Sequence, residues 1–181
     1  YLAFALCGLF LNTSLAHKNS AVESAHYQQT QISDSLTLLS SKGGNIIVSE
    51  GKDGLLLIDN GYNDLAHNLK SILDNFKGAP NLEYVINTHW HFDHTGGNQV
   101  LGGAATIIAH DSVRSRLENP SEIPFFNYQS QAHPEQALPT LTYPDAMRIH
   151  FNKDELYLQH FPNSHTDGDT VIFFKEANLV H

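Results

Sequence analysis

Short apolar blocks alternate with polar turns along the chain, and their lengths and spacing predict the elements. LTLLS (36–40), NIIVSE (45–50) and LLLIDNG (55–61) are separated by KGG and GKDG. Apolar runs of this length between Gly-rich turns predict a meander of antiparallel strands. In NDLAHNLKSILDNF (63–76), Leu65, Leu69, Ile72, Leu73 and Phe76 recur at helical spacing, with Asn63 or Asp64 as N-cap and Gly78 and Pro80 as terminators. LEYVINTH (82–89) predicts a buried strand, GGNQVLGG a short helix, ATIIAH (105–110) a strand and DSVRSRLEN (111–119) a capped helix. Residues 120–144 carry Pro120, Pro124, Pro134, Pro139 and Pro144 and keep no period, which predicts a long irregular loop or set of turns. MRIHFN, ELYLQHF, TVIFFK and NLVH close the sequence as strands. Strands that alternate with helices, beside antiparallel meanders, point to a layered α/β sandwich.

The first residues do not fit that pattern. YLAFALCGLFL (1–11) is one apolar run, too short for a membrane span of about 20 residues. Ser14 and Ala16 follow it in the small-x-small arrangement read by signal peptidase, so cleavage is expected after Ala16 and export to a periplasm or the exterior. A buried core helix is the competing reading. The only methionine is Met147, so the expected organisation is a truncated signal peptide (1–16), a polar lead-in (17–34) and one domain (35–181). Nineteen acidic against ten basic side chains give a net charge of −9, and no Lys/Arg-rich run appears. That balance argues against nucleic acid as a partner. The single cysteine, Cys7, lies in the apolar run, so neither a disulfide framework nor a cysteine metal ligand is expected in the domain.

The chemistry concentrates in THWHFDHTGGN (88–98), which places three histidines and an aspartate within six positions. His89 and His91 are two apart at a strand end and point to one side if the strand continues. Asp93 and His94 follow as the chain turns, where Gly96 and Gly97 permit a tight backbone. Imidazole and carboxylate are zinc ligands. A second candidate, His165, sits in the loop NSHTDGDT (163–170). The alternatives are that His94 and Asp93 cap the following turn and that His165 faces solvent. His67, His110, His133, His150 and His160 are expected on helix faces, strand ends or loops without partners. Trp90 and Phe92 are expected to pack rather than to touch substrate.

LLLIDNG, THWHFDHTGGN and HTDGDTVIFF, in that order, resemble the metallo-β-lactamase superfamily over roughly residues 35 to 181. The resemblance implies an αββα sandwich of two similar halves with the metal site at one edge, here with the second half incomplete. It implies that His89, His91 and His165 hold a first zinc (Zn2+), that Asp93 and His94 help to hold a second, and that Asp59 stands behind the metals. His94 after the motif aspartate resembles the Asp-His-His branch of β-lactamases or the glyoxalase II type of thioesterase. The family's Gly-Asp pair, whose Asp can bridge two metals, and its last His do not occur before His181. The implied reaction is metal-assisted hydrolysis of a carbonyl-type small molecule (lactam, lactone or thioester), with Asp93 orienting the attacking water. Phe125, Phe126 and Tyr128, clustered in IPFFNY, are expected either to wall a substrate pocket or to plug the core under the loop. An iron-dependent dioxygenase of the same fold and a binding protein without chemistry are the competing functions. No membrane partner is expected, and oligomeric state is open.

Overall fold

The computed structural model of the chain describes residues 27–78 and 81–181, so the signal-type segment expected at 1–16 lies outside the described residues. Two sheets carry the fold. The first runs in the order β1 (Gln28–Gln31), β2 (Leu36–Ser41), β3 (Gly44–Gly51), β4 (Gly54–Ile58), β5 (Leu82–Ile86), β6 (Thr106–His110) and β9 (Leu141–Tyr143). β1 to β4 pair antiparallel, whereas β4, β5, β6 and β9 are parallel. The second sheet, β10 (Ala146–Phe151), β11 (Asp154–His160), β12 (Thr170–Phe174) and β13 (Leu179–Val180), is antiparallel throughout. β7 (Ser121–Ile123) and β8 (Tyr128–Ser130) form a separate hairpin. The helices are α1 (Ala66–Leu73), α2 (Phe92–Thr95), α3 (Asn98–Leu101) and α4 (Asp111–Leu117).

The continuous apolar run in β4 reflects cover on both faces, which is where unbroken Leu/Ile stretches belong. Leu55 and Leu57 pack with Leu69, Ile72 and Leu73 of α1, and Leu56 and Ile58 pack with Leu156, Leu158 and Ile172 of the second sheet. The layers are therefore helix, sheet, sheet, as the αββα expectation requires for a sandwich with an incomplete second half. The outer face of the second sheet, with Phe173 and Val180 exposed, carries no helix among the described residues. At the end of the sandwich where β4 begins, Asn152 ties the two sheets together. Its side chain donates to Ser49 Oγ (3.2 Å) and the Gly54 carbonyl (3.1 Å), while its backbone N–H donates to Asp53 Oδ2 (2.8 Å).

Three local expectations change. The polar lead-in contains a strand, β1, whose residues QQTQ are all exposed and pair with β2 through backbone bonds that leave no apolar signature. The helix predicted over 63–76 opens as a 3-10 turn at Asn63–Leu65 and is α-helical only over Ala66–Leu73, without a side-chain cap. It stops before Gly78 because Asn75 donates its amide to the Ser71 carbonyl, a local bond that competes with the helix ladder. The stretch 120–144 is not irregular throughout. It holds the β7–β8 hairpin, two 3-10 turns and β9. These elements are three residues long each, too short to establish a period.

Candidate metal centre

The parallel strands β4 and β5 end side by side, and their C-terminal ends deliver Asp59 and the Thr88–His89 segment to one edge of the sandwich. His91 follows in extended conformation (φ −65°, ψ 151°) as the residue before α2, which carries Asp93 and His94. His165 arrives from the other sheet, on the loop between β11 and β12. That loop is fastened by the Asp169 carboxylate, which accepts from Thr166 N (2.9 Å) and Thr166 Oγ1. Thr170 N donates to the Thr88 carbonyl (2.9 Å), which ties the loop to the end of β5.

His89, His91 and His165 converge. One ring nitrogen from each lies within 4.8 Å of the others, and His165 Nε2 stands 3.1 Å from His91 Nδ1. Two nitrogens sharing one ion through bonds of about 2.0–2.1 Å at a tetrahedral angle stand roughly 3.4 Å apart, so the spacing suits a common cation. Hydrogen bonding fixes which nitrogen of His89 is available. Thr88 Oγ1 has one proton, and it goes to Asp59 Oδ2 (2.8 Å), because an ionised carboxylate only accepts. Thr88 Oγ1 must then accept from His89 Nδ1 (3.1 Å), which leaves the Nε2 lone pair of His89 free.

The electrostatics divide the cluster in two. Burial, with the positive charge of His94 adding to it, pushes His89 down to about 4, and burial together with His165 lowers His91. Both imidazoles are neutral at pH 7, the form that ligates. His94 behaves oppositely. Burial would lower it, but Asp59 (Nδ1 to Oδ2, 2.7 Å) and Asp93 (Nε2 to Oδ2, 3.5 Å) together raise it to about 10. Asp93 is held below the usual carboxylate range because the hydrogen bond and charge of His94 outweigh its burial. Asp59, 1% exposed, also receives Thr88 N (2.8 Å), and His181 Nε2 lies 3.6 Å away. Burial would raise its carboxyl, but His181 and His94 keep it far below the ordinary value. The two carboxylates meet opposite nitrogens of the His94 ring, Asp59 at Nδ1 on the buried side and Asp93 at Nε2. Among the described residues, the three converging imidazoles fit a metal ion, and Asp93 and His94 stand beside them.

His181 was not anticipated from the sequence. It lines the open cleft of about 430 Å³ at this edge together with Asp59, His89, His94, Phe161 and His165. Its position at the end of an apolar strand carries no signal that its ring faces Asp59. His110 and His160, expected to lack partners, instead stack on one another with ring centroids 3.6 Å apart, and His160 Nδ1 lies 3.1 Å from the Asp169 carbonyl. Trp90 packs against the cluster of Val113, Leu117 and Leu138, and Phe92 against Tyr62 and Tyr128, as expected. Phe125, Phe126 and Tyr128 do not line the cleft. Phe126 and Tyr128 meet Phe92, one residue before Asp93, and Phe125, largely exposed, meets Phe126 edge-on.

A two-sheet sandwich with three imidazoles converging at one edge defines the class of fold and of candidate metal site. The sequence pattern of the metallo-beta-lactamase superfamily matches residues 41–179, and the chain belongs to that superfamily. No curated protein matches it in sequence. Among solved structures, it resembles a metallo-beta-lactamase from Cronobacter sakazakii at 17% identity and a TM-score of 0.71, over 90% of this chain and 63% of that one. A class B3 di-zinc metallo-beta-lactamase from an Alaskan soil metagenome matches at 20% identity and TM-score 0.71, over 84% and 58%. A subclass B3 metallo-beta-lactamase of Bradyrhizobium japonicum matches at 22% and 0.68, over 83% and 58%. The chain thus spans about six-tenths of the length of these structures, and at such identities the likeness is one of fold.

Proposed function

We propose that the chain carries active-site residues of an exported, zinc-dependent hydrolase that acts on a lactam, lactone or thioester. The observation that carries this reading is the convergence of His89, His91 and His165, the first two neutral at pH 7, beside the Asp59–His94–Asp93 group. Zinc held by such a set supplies a water whose pKa is lowered to about 7 and a Lewis acid for a carbonyl oxygen.

The chain's own residues do the rest. His89 and His91 present lone pairs without first losing a proton at neutral pH. Asp93, ionised at neutral pH because His94 keeps its carboxyl below the usual carboxylate range, orients the attacking water. Asp59 stays behind the site, aligning His94 directly and His89 through Thr88. The cleft volume suits a small molecule. Phe161 lines the cleft, while Phe126 and Tyr128 extend an apolar rim beside Asp93. The apolar run at 1–11 followed by Ser14 and Ala16 supports export.

Metal analysis of the purified protein, coupled to hydrolysis of a lactam, lactone and thioester panel, tests the reading. Bound zinc and turnover, both lost in His91→Ala, are the expected result. Undiminished hydrolysis in chelator, or oxygen uptake in place of hydrolysis, would overturn it.

A further inference from the structure

Behind the ligands lies a second group of polar side chains that touches no cleft. Asn60, Asn87 and Asn98 are each fully buried. They come from three separate places: the residue after Asp59, the residue after β5, and the first residue of α3. Buried amides are costly unless paired, and these are paired with one another and with backbone.

Asn98 is saturated. Its Oδ1 accepts from Asn60 Nδ2 and from Asn87 Nδ2 (3.2 Å), and its Nδ2 donates to Asn87 Oδ1 (2.9 Å) and the Ala137 carbonyl (3.0 Å). The amide orientations are not arbitrary. The Gly97 N–H donates to Asn60 (2.8 Å), so that atom is oxygen; the Ala137 and His94 carbonyls face Asn98 and Asn87, so those atoms are nitrogen. The His94 carbonyl receives two donors, Asn60 N (3.1 Å) and Asn87 Nδ2 (3.3 Å). A Cβ on Gly97 would stand 2.8 Å from the Asn60 carbonyl oxygen, which explains why glycine occupies that position. The network thus grips the backbone of the turn at the His94 carbonyl and again at the Gly97 N–H.

We propose that Asn60, Asn87 and Asn98 form a positioning clamp that presets the His94 backbone and thereby the affinity of the Asp93–His94 metal position, leaving the His89–His91–His165 position largely independent. This rests on the metal reading above. With its carbonyl fixed, His94 has only its side-chain torsions left, and Asp59 sets those. Removing the Asn98 amide strands the Ala137 carbonyl and groups on both other asparagines, so the turn relaxes. Asn87 lies two residues before His89, but the clamp side chains bond to the His94 carbonyl, the Gly97 N–H, the Ala137 carbonyl and one another, not to the rings of His89 or His91, and His165 is carried on the loop between β11 and β12.

Co(II) titration followed by its visible absorption tests this, comparing wild type, Asn98→Ala, Asn98→Asp and Asn152→Ala. Asn152 is a matched control, a buried amide bonded at the far end of the sandwich. The weaker Co(II) equivalent is expected to lose about tenfold or more in both Asn98 variants, the usual cost of losing support behind a ligand, while the tighter one changes by less than about threefold. Asn152→Ala is expected to leave both affinities in place. Equal losses at both equivalents, no loss, or the same loss in Asn152→Ala would overturn the clamp. Amide exchange at Gly97 in the wild type decides the matter if the Asn98 variants do not fold. The clamp requires the same protection with and without Zn(II), and protection that appears only with metal overturns it. A wild type that binds no metal overturns the metal reading itself, and one that binds a single equivalent overturns the division into two positions.

Discussion

Asp59 adopts φ +62°, a conformation uncommon for residues other than glycine, immediately after β4. The left-handed step costs about 1–3 kcal/mol, and it turns the carboxylate across to Thr88 and His94 instead of along the strand. The prediction at this scale concerns the pair it makes with His94. In the metal-free protein His94 is raised above its unfolded value of about 6.5 to about 10, so it binds a proton more tightly when folded. The stability this contributes is complete below about pH 6.5 and is lost as pH rises through 10. Denaturant unfolding of metal-free protein between pH 6 and 10 should show that decline, and Asp59→Asn should flatten it. A wild type equally stable across the window would mean that His94 is not held as a cation. How much of this site is legible in the sequence depends on sequence separation. His89, His91, Asp93 and His94 are adjacent at one strand end, so their spacing exposes them. The asparagines give no such signal, because Asn60 bonds to Asn98 and Asn98 to Ala137, 38 and 39 residues apart, and a lone Asn reads as a turn residue.

The sequence leaves two roles open for the rings of the β7–β8 hairpin, a substrate wall or a plug under the loop. These rings do not enter the cleft. Tyr128 stacks on Phe92 with centroids 4.4 Å apart, and Phe126 meets Phe92 edge-on at 6.2 Å. Ring pairs of this kind contribute about 0.5–1.5 kcal/mol each beyond their buried area, enough to seat the hairpin on α2 but not to hold the domain together. Replacing Phe126 and Tyr128 by Ala together should therefore cost about 1–3 kcal/mol of stability at most. If the hairpin forms the rim for substrate, the double variant raises KM severalfold with metal content and kcat nearly unchanged. Unaltered KM with the same loss of stability would assign the rings to packing alone. Elements with strong periodicity, such as β4 with its five buried residues and the apolar face of α1, are readable from the sequence because burial on a defined face demands it. β1, β7, β8 and β9 are not, because they are short, partly exposed and held by backbone pairing to partners that no local pattern names.

Across the whole molecule, the proposed first metal position joins what the covalent chain keeps apart. His89 and His91 follow β5 of the first sheet, whereas His165 precedes β12 of the second, and at the opposite end Asn152 already ties the sheets together. Between these two ends the sheets are joined by apolar contact, with Leu56, Ile58 and Ile86 against Leu156, Leu158 and Ile172. A cation bound by all three histidines would therefore clip the end of the sandwich opposite Asn152, through the exposed loop carrying His165. Binding to the folded state alone stabilises by about 2.7 kcal/mol when free metal is a hundredfold above Kd. Zinc should accordingly raise the unfolding midpoint of the metal-free protein, and a chelator should return it to its starting value. His165→Ala separates a clip across the sheets from binding within one turn. Its ring is exposed, so its loss should change the stability of the metal-free protein by no more than about 0.5 kcal/mol, the range of surface substitutions. Most of the zinc-induced rise should nevertheless disappear, because two imidazoles on one strand end bind the ion weakly and no longer span the sheets. A rise of full size in His165→Ala would place the stabilising cation on the first sheet alone.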